Sequence, residues 1–505
     1  MNLSRRLFII RSAALASTLY AAPSFKKYPF SLGVMSGDPG PDGFVLWTRL
    51  APDPLNGGGM DNAAMEVEWI VAEDESMKRV VKKGKAVAAP ALAHSVHVEV
   101  SGLRSQRPYW YQFKVQKELS PVGRSLTTPR PGESASGLKF AFASCQSWEA
   151  GLWTAYEHML EDDPELVVHL GDYIYEGAAR DTGVRKHNSA EILTLSDYRN
   201  RHALYKTDPA IQRMHGHCPW ILTWDDHEVD NNYAGDVPED TQTRQAFLER
   251  RASAYQAYYE HMPLRLSSLP QGTQMQLYRK LSFGDLAEFA VLDTRQYRTD
   301  QPCGDRTVAP CEGVYDSGAT ILGDAQEAWL KNTLDKSQAK WNIVANQVLM
   351  ARIDMEPGLA EAISTDKWSG YEACRNRLMQ FLLERRPSNP IVITGDIHSN
   401  WVSDLKVDWK DEKAVVVATE FTGTSISSAG DGVDEQPNTE TWYRENPHLK
   451  MYNGRRGYVL ITLSADQCRA DYRIMPYVSS PSAPVRTHSS WIVENNLRGV
   501  KKLSG

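Results

Sequence analysis

The apolar and polar positions of this chain follow two regimes. From about residue 28 to 130, apolar residues recur at every second position in short runs broken by Gly and Pro. Val45-Leu-Trp-Thr-Arg-Leu50, Met65-Glu-Val-Glu-Trp-Ile-Val71, Val80 to Ala88 and His94-Ser-Val-His-Val-Glu-Val100 are such runs. That period is the mark of strands with one buried face. From residue 138 onward the pattern changes. Continuous apolar runs of strand length alternate with longer stretches of helical period. Later strands are expected at Glu288 to Asp293, Trp341 to Leu349, Val415 to Thr419 and Tyr458 to Leu463. Helices are expected at Thr154 to Glu161, Ser196 to Met214, Arg244 to His261, Asp324 to Leu334 and Tyr371 to Arg385.

The fold class that follows is α/β, with sheets flanked by helices, preceded by a small all-β domain. Gly102 to Val115, through Pro108-Tyr-Trp-Tyr111, resembles the tyrosine-corner strand of fibronectin-type sandwiches, so residues 28–130 are read as a β-sandwich. Thr127 to Gly137, rich in Pro, Ser and Gly, reads as a linker. Residues 138–505 then form the larger domain. At 505 residues the chain has room for more than one core.

Four apolar runs in the second regime end in polar, metal-competent side chains. They are Phe140-Ala-Phe-Ala-Ser-Cys145, Leu166-Val-Val-His-Leu-Gly-Asp172-Tyr-Ile-Tyr175, Ile221-Leu-Thr-Trp-Asp225-Asp226-His227-Glu228 and Ile391-Val-Ile-Thr-Gly-Asp396-Ile-His398. Ligands of open α/β sheets bind beyond the carboxyl ends of the strands. Each motif alone is commonplace: a Gly-Asp after a strand is often only a turn, and Asp225 to Glu228 alone reads as a solvated turn. Four of them in one domain describe a metal centre, and a metal centre suggests hydrolysis.

Charge and cysteine content change the picture at the N-terminus. Ser4-Arg5-Arg6-Leu7-Phe8-Ile9 precedes a small-residue apolar stretch from Ser12 to Ala22, the layout of a cleavable signal with a twin-arginine motif. Residues 1–22 are therefore read as an export signal engaging the twin-arginine machinery, with a periplasmic or secreted product and no stable membrane anchor. Removing them deletes Arg5, Arg6 and Arg11 and no acid, taking the formal charge from −7 to −10. So acidic a product does not hold nucleic acid as a stable partner. An anionic substrate would need bound cations to draw it in. Of the six cysteines, Cys303 and Cys311 bracket a loop-like segment and are the best disulfide candidates in an oxidising compartment.

These blocks resemble the alkaline phosphatase D family, a branch of the calcineurin-like metallophosphoesterases. The resemblance extends over most of the chain. It includes Phe30-Ser-Leu-Gly-Val-Met-Ser-Gly-Asp38, Asp197-Tyr-Arg-Asn-Arg-His-Ala-Leu-Tyr205, Arg250 to Arg265 and Trp341-Asn-Ile-Val-Ala-Asn-Gln-Val348. It implies a layered calcineurin-like α/β catalytic domain. It also implies a centre of Fe³⁺ with Ca²⁺: Cys145, Asp172, Tyr175 and His398 on iron, with Asp172 bridging to calcium sites completed by Asp226, Asn232 and Asp396. Phenolate and carboxylate suit a ferric ion, and all-oxygen sets suit calcium. Spacing does not decide between Asn231 and Asn232, and Asn232 is preferred. The family's departures from the wider superfamily, Ser144-Cys145-Gln146 and Asp225-Asp226-His227-Glu228, are both present and argue against a dinuclear Zn or Mn centre.

The expected activity is metal-dependent hydrolysis of small-molecule phosphoesters by activated water. His227 is the candidate donor to phosphate or leaving group; otherwise it is a structural His braced by Glu228. Arg250 or Arg251, with Arg251 preferred, is the candidate phosphate fork. The alternatives are a phospholipase-D-like phosphodiesterase and, from another class, an exported iron- or phosphate-binding protein without turnover.

Overall fold

The structure is a computed structural model, and it describes residues 25–505. The export signal expected at 1–22 lies outside the described residues. The chain forms two compact units that interleave in sequence. The first takes in residues up to Thr127, then Ile192–Pro219 and Leu248–Gln276; the second takes in Thr128–Glu191, Trp220–Phe247 and Leu277–Gly505. The boundary is thus not a single cut near residue 130. Two helical excursions of the later chain pack with the first unit.

In the first unit, Gly43–Arg49 pairs antiparallel with Val34–Gly40 on one side and Ser95–Val100 on the other. A second antiparallel set joins Val80–Ala88, Met65–Ala72, Arg107–Val115 and Gly123–Thr127. Alternate residues of both sets meet in one core, with Leu46, Val67, Val71, Val98, Tyr111 and Phe113 among its members. The helix expected over Ser196 to Met214 is two helices, Leu195–Lys206 and Pro209–His217. Pro209 cannot continue the first helix but suits the first turn of the second. The Asp208 carboxylate caps it, accepting from the amides of Ala210 and Ile211.

The second unit is mixed α/β and holds two sheets. In one, the parallel strands Leu138–Ala143, Leu166–His169 and Trp220–Leu222 lie side by side. In the other, Ala287–Val291, Trp341–Ala345, Pro390–Thr394 and Val416–Thr422 are parallel. The long strand Leu449–Leu463 serves both. Its first half pairs with Asn400–Lys406 in the second sheet, and its later half pairs with Leu138–Ala143 in the first. Beyond it, Gln467–Met475, Arg486–Glu494 and Lys501–Ser504 extend the first sheet antiparallel. Helices Gly323–Lys336 and Glu372–Arg385 bury Leu330, Leu334, Leu378 and Met379 in the core of the second sheet. Seven parallel strands therefore end in this unit, and their carboxyl ends carry the chemistry.

Candidate metal centre

Six of those seven strand ends deliver a side chain to one cluster in the second unit. Cys145 follows Leu138–Ala143; Asp172 and Tyr175 follow Leu166–His169; Asp225, Asp226 and His227 follow Trp220–Leu222. Arg295 follows Ala287–Val291, Asp396 and His398 follow Pro390–Thr394, and Ser428 follows Val416–Thr422.

The turns are sharp enough to force unusual backbone. Cys145, Asp172, Asn232, Asp396 and His398 all have left-handed φ, between 48° and 65°. Such conformations cost about 1–3 kcal/mol each and persist where the surroundings over-determine them. The glycine before Asp172 is required for space as well. A Cβ on Gly171, at φ 107°, would meet the backbone nitrogen and Cβ of Asp225 at 2.5 Å. A Cβ on Gly395 would meet Ser144 Oγ at 2.5 Å. Gly171 therefore lets two strand ends approach to backbone contact, and Gly395 lets the Ser144 side chain pack against the turn.

The donor atoms converge. Sγ of Cys145, a carboxylate oxygen of Asp172 and a ring nitrogen of His398 lie within 4.8 Å of one another, as do carboxylate oxygens of Asp172, Asp225 and Asp226. Tyr175 Oη donates to Asp172 Oδ2 at 2.9 Å and stands 3.3 Å from His398 Nε2. Ser428 Oγ lies 2.7 Å from both Tyr175 Oη and the Cys145 carbonyl. Cys145, Asp172, Asp225 and Asp226 are buried and form the floor, while Tyr175, His227, Asn232, Asp396 and His398 are partly exposed and form the rim.

Fixed charges brace this floor. Arg295, fully buried, donates from Nε to Asp225 at 2.5 Å, sets Nη2 3.3 Å from Asp226, and pairs with Asp366. Arg298 and Lys367 also hold Asp366, and Lys367 pairs with Asp396. The Glu228 carboxylate accepts from the backbone amides of Asp172, Tyr173 and Asp225, tying two strand ends together. His227 is braced by Glu176 and not by Glu228: its Nδ1 lies 2.7 Å from Glu176 Oε2. Its ring packs against Tyr175, centroids 4.1 Å apart and planes tilted by 33°.

The electrostatics ask for a cation. Burial, with Asp226 and Asp396 close by, raises Asp172 to about 7 despite the opposing charge on His227. Burial and the carboxylates of Asp172 and Asp396 hold the Cys145 thiol well above its ordinary value. Tyr175 is raised well above its own by burial and by Asp172. Burial would raise Asp226 too, but Arg295 and His227 bring it to about 2. Asp172 Oδ1 and Asp225 Oδ2 are buried with no hydrogen-bond partner. Orphaned carboxylate oxygens in a dry cluster are what a metal ion satisfies. A thiol, a phenol, an imidazole and a carboxylate fit a ferric ion, and the carboxylate and amide oxygens beside them fit calcium.

All seven ligand candidates lie in this unit, and most sit inside the network. Asn232 donates its backbone N–H to Asp226 Oδ2 at 2.8 Å, and Asn231 donates its own to Glu176 Oε1 at 2.9 Å; each side-chain amide is bonded to a carboxylate, Asp305 for Asn232 and Glu239 for Asn231. Arg251 belongs to the first unit, where its Nη2 donates to the Thr273 carbonyl at 2.9 Å, and the cluster described here does not include it. Sequence reasoning missed Arg295, Glu176, Asp366 and Lys367. Arg295 carried the same signal as the four recognised motifs, a polar Asp293-Thr-Arg295 directly after an apolar strand. Asp366 and Lys367 follow no strand of that kind and carried none.

A cluster of hard anionic donors at the strand ends of an α/β unit is the equipment of a hydrolase that works on anionic esters. Comparison with known proteins gives the class its family. Residues 140–472 match the PhoD-like phosphatase family and residues 14–129 match that family's N-terminal domain. Alkaline phosphatase D of Bacillus subtilis (strain 168) is 49% identical over 508 residues, covering 100% of this chain and 87% of that protein. A solved structure of PhoD superposes with a TM-score of 0.94 at 50% identity, over 96% of this chain and 94% of that one. The chain belongs to the PhoD-like phosphatase family and is a phosphoric ester hydrolase.

Proposed function

We propose that this protein is an exported alkaline phosphatase and phosphodiesterase that uses Fe³⁺ and Ca²⁺ to release phosphate from small organic phosphoesters. The observation that carries the reading is the convergence of Cys145, Asp172, Tyr175 and His398 donor atoms beside the carboxylate group of Asp172, Asp225 and Asp226. The first set would hold iron. Asp226, Asn232 and Asp396, with Asp172 shared, would hold calcium. Bound there, the cations supply Lewis acidity toward water and toward the phosphoryl oxygens.

The chain's own residues do the rest. Opposed by burial but favoured by Glu176, Asp172 and Asp226, His227 is raised well above an ordinary imidazole and carries its proton at neutral pH. Glu176 fixes Nδ1, so Nε2–H is the donor offered to a phosphoryl or leaving-group oxygen. Arg295 and Lys367 offset the carboxylate charge behind the centre, and Arg295 holds Asp226 and Asp366 below their ordinary range against burial. Glu228 holds the strand ends of Asp172 and Asp225 in register. Arg251, expected to contact phosphate, donates from Nη2 to the Thr273 carbonyl at 2.9 Å and carries no step in this reading.

The same reading takes the second unit as a calcineurin-like layered domain and the first as a fibronectin-like sandwich. Tyr109 supports the latter: its hydroxyl accepts from the Arg104 N–H at 3.0 Å and donates to the Arg104 carbonyl at 3.2 Å, closing a tyrosine corner. Export through the twin-arginine route rests on Arg5 and Arg6. The Cys303–Cys311 disulfide supports an oxidising destination. Among the described residues no helix is long and apolar enough to cross a membrane.

The test is metal analysis of purified protein with paired monoester and diester substrates. Iron near one per chain, activity lost to a calcium chelator and restored by Ca²⁺, and turnover of both ester types are expected. Full restoration of metal-free protein by Zn²⁺ or Mn²⁺, with Ca²⁺ inert, would overturn the assignment of ions. Diesters neither cleaved nor inhibitory would restrict the activity to monoesters.

A further inference from the structure

Asn232 is held from three directions, one of them a residue inside a disulfide-closed loop and another a residue just ahead of it. Its backbone N–H goes to Asp226 Oδ2 at 2.8 Å. Its carbonyl accepts from Gln301 Nε2 at 2.6 Å. Its side-chain Nδ2 donates to Asp305 Oδ2 at 2.7 Å. Asp305 sits inside the segment closed by Cys303–Cys311, in left-handed conformation at φ 52°. The loop is anchored at both ends. Before the disulfide, Gln301 also donates to Asp366 at 3.0 Å. After Asp305, the Arg306 N–H donates to Thr365 Oγ1 at 3.0 Å, and Thr307–Val308 pairs antiparallel with Ile363–Ser364, just ahead of Asp366 and Lys367.

We infer that Asp305 is a positioning residue for the calcium site, fixing the amide of Asn232 so that its Oδ1 faces the cation, and that the Cys303–Cys311 loop holds Asp305 to that task. The physical argument is one of donors and acceptors. An ionised carboxylate only accepts, so the Asn232 atom facing Asp305 must be the NH₂ group. The carbonyl oxygen of the same amide is then turned to the opposite side, where a hard cation takes oxygen alone. An amide left to rotate would present NH₂ to the site in a share of its states and repel the ion. Partners of this kind, bonded to ligands and not to the metal, typically set affinity by about 10–100-fold. The left-handed turn at Asp305 and the short sequence separation of 8 between the cysteines keep the carboxylate in place without burying it in a core. The inference rests on the proposed calcium site, and the experiment separates the two.

Full-length, iron-loaded protein stripped of calcium is titrated with Ca²⁺ by calorimetry, as wild type, as Asp305→Ala and as Cys303→Ser with Cys311→Ser. Iron content, the visible spectrum and the melting temperature are read on the same samples. Asp305→Ala is expected to weaken Ca²⁺ binding by about 10–100-fold, and the double serine variant to weaken it in the same direction by less. Iron content and spectrum should stay as in wild type, because no iron-ligand candidate bonds to Asp305. Asp305→Asn, which can still accept from the amide, should recover part of the affinity. Wild-type Ca²⁺ affinity in Asp305→Ala protein that retains iron would overturn the inference while leaving the calcium site standing. A wild type that takes up no Ca²⁺ would overturn the ion assignment, and with it this role for Asp305.

Discussion

Tyr175 shows how one oxygen ties the proposed centre together. Its hydroxyl touches Asp172, His398 and Ser428, and its ring packs against His227. A phenol raised well above its ordinary value by burial and by Asp172 ionises only if a cation takes the proton's place. Ferric phenolate absorbs visible light, so purified protein should be coloured. Tyr175→Phe keeps the ring and removes the oxygen; the melting temperature should change by only a few degrees. The band should weaken or shift and turnover should fall by about 10²-fold or more. An unchanged spectrum with full iron and normal turnover would remove tyrosinate from the ligand set. Cys145, Asp172 and His398 were legible in the sequence because each follows an apolar strand within a few residues. Glu176 was not: it follows Tyr175 by one residue, and only the fold brings His227 to its carboxylate.

The elements owe their site-building to how strands stop. Parallel strands stop where a Gly or a left-handed residue lets the chain turn away, and at Gly171 an added Cβ would lie 2.5 Å from Asp225. Gly171→Ala should cost about 2–3 kcal/mol and lower metal content, since the added methyl displaces either Asp172 or Asp225. Metal analysis with a denaturation midpoint checks it, and full metal occupancy at unchanged stability would refute the close approach. Helices carry a different kind of prediction. Glu327 on Gly323–Lys336 is bonded by Arg377 on Glu372–Arg385 and by Lys331 one turn on. Burial would raise its carboxyl, but these two cations outweigh burial and bring it to about 2. A depressed carboxyl contributes stability that is fully present above its unfolded value near 4.5 and is lost as pH falls toward 2. Glu327→Gln should therefore lower stability by about 1–2 kcal/mol at neutral pH. That deficit should shrink through the window between about pH 4.5 and 2. A deficit that stays constant across it would show that packing, and not the charge pair, is what the substitution removes.

At the scale of the whole molecule, two features concern where the protein works. The disulfide and the acidic sequence are features that the proposed exported enzyme would have, with bound cations and not its surface attracting phosphate. Arg5→Lys with Arg6→Lys should leave precursor in the cytoplasm, measured by fractionation; normal export of the double variant would remove the twin-arginine assignment. The strand and helix regimes, the α/β class, the disulfide pair and the four strand ends with metal-competent side chains could all be read from local pattern, because period, turn residues and strand-end chemistry are properties of adjacent positions. The split of Ser196 to Met214 was also local, and Pro209 was its overlooked signal. Other features belonged to the tertiary structure alone. Arg295 on two carboxylates, Lys367 beside Asp396, Glu228 on the amides of Asp172 and Tyr173 and Asp305 against Asn232 are contacts between segments tens of residues apart. A sequence displays which groups bear charge. Only packing decides which of them are forced together in a dry site, and that enforced proximity is what makes the cluster demand a metal.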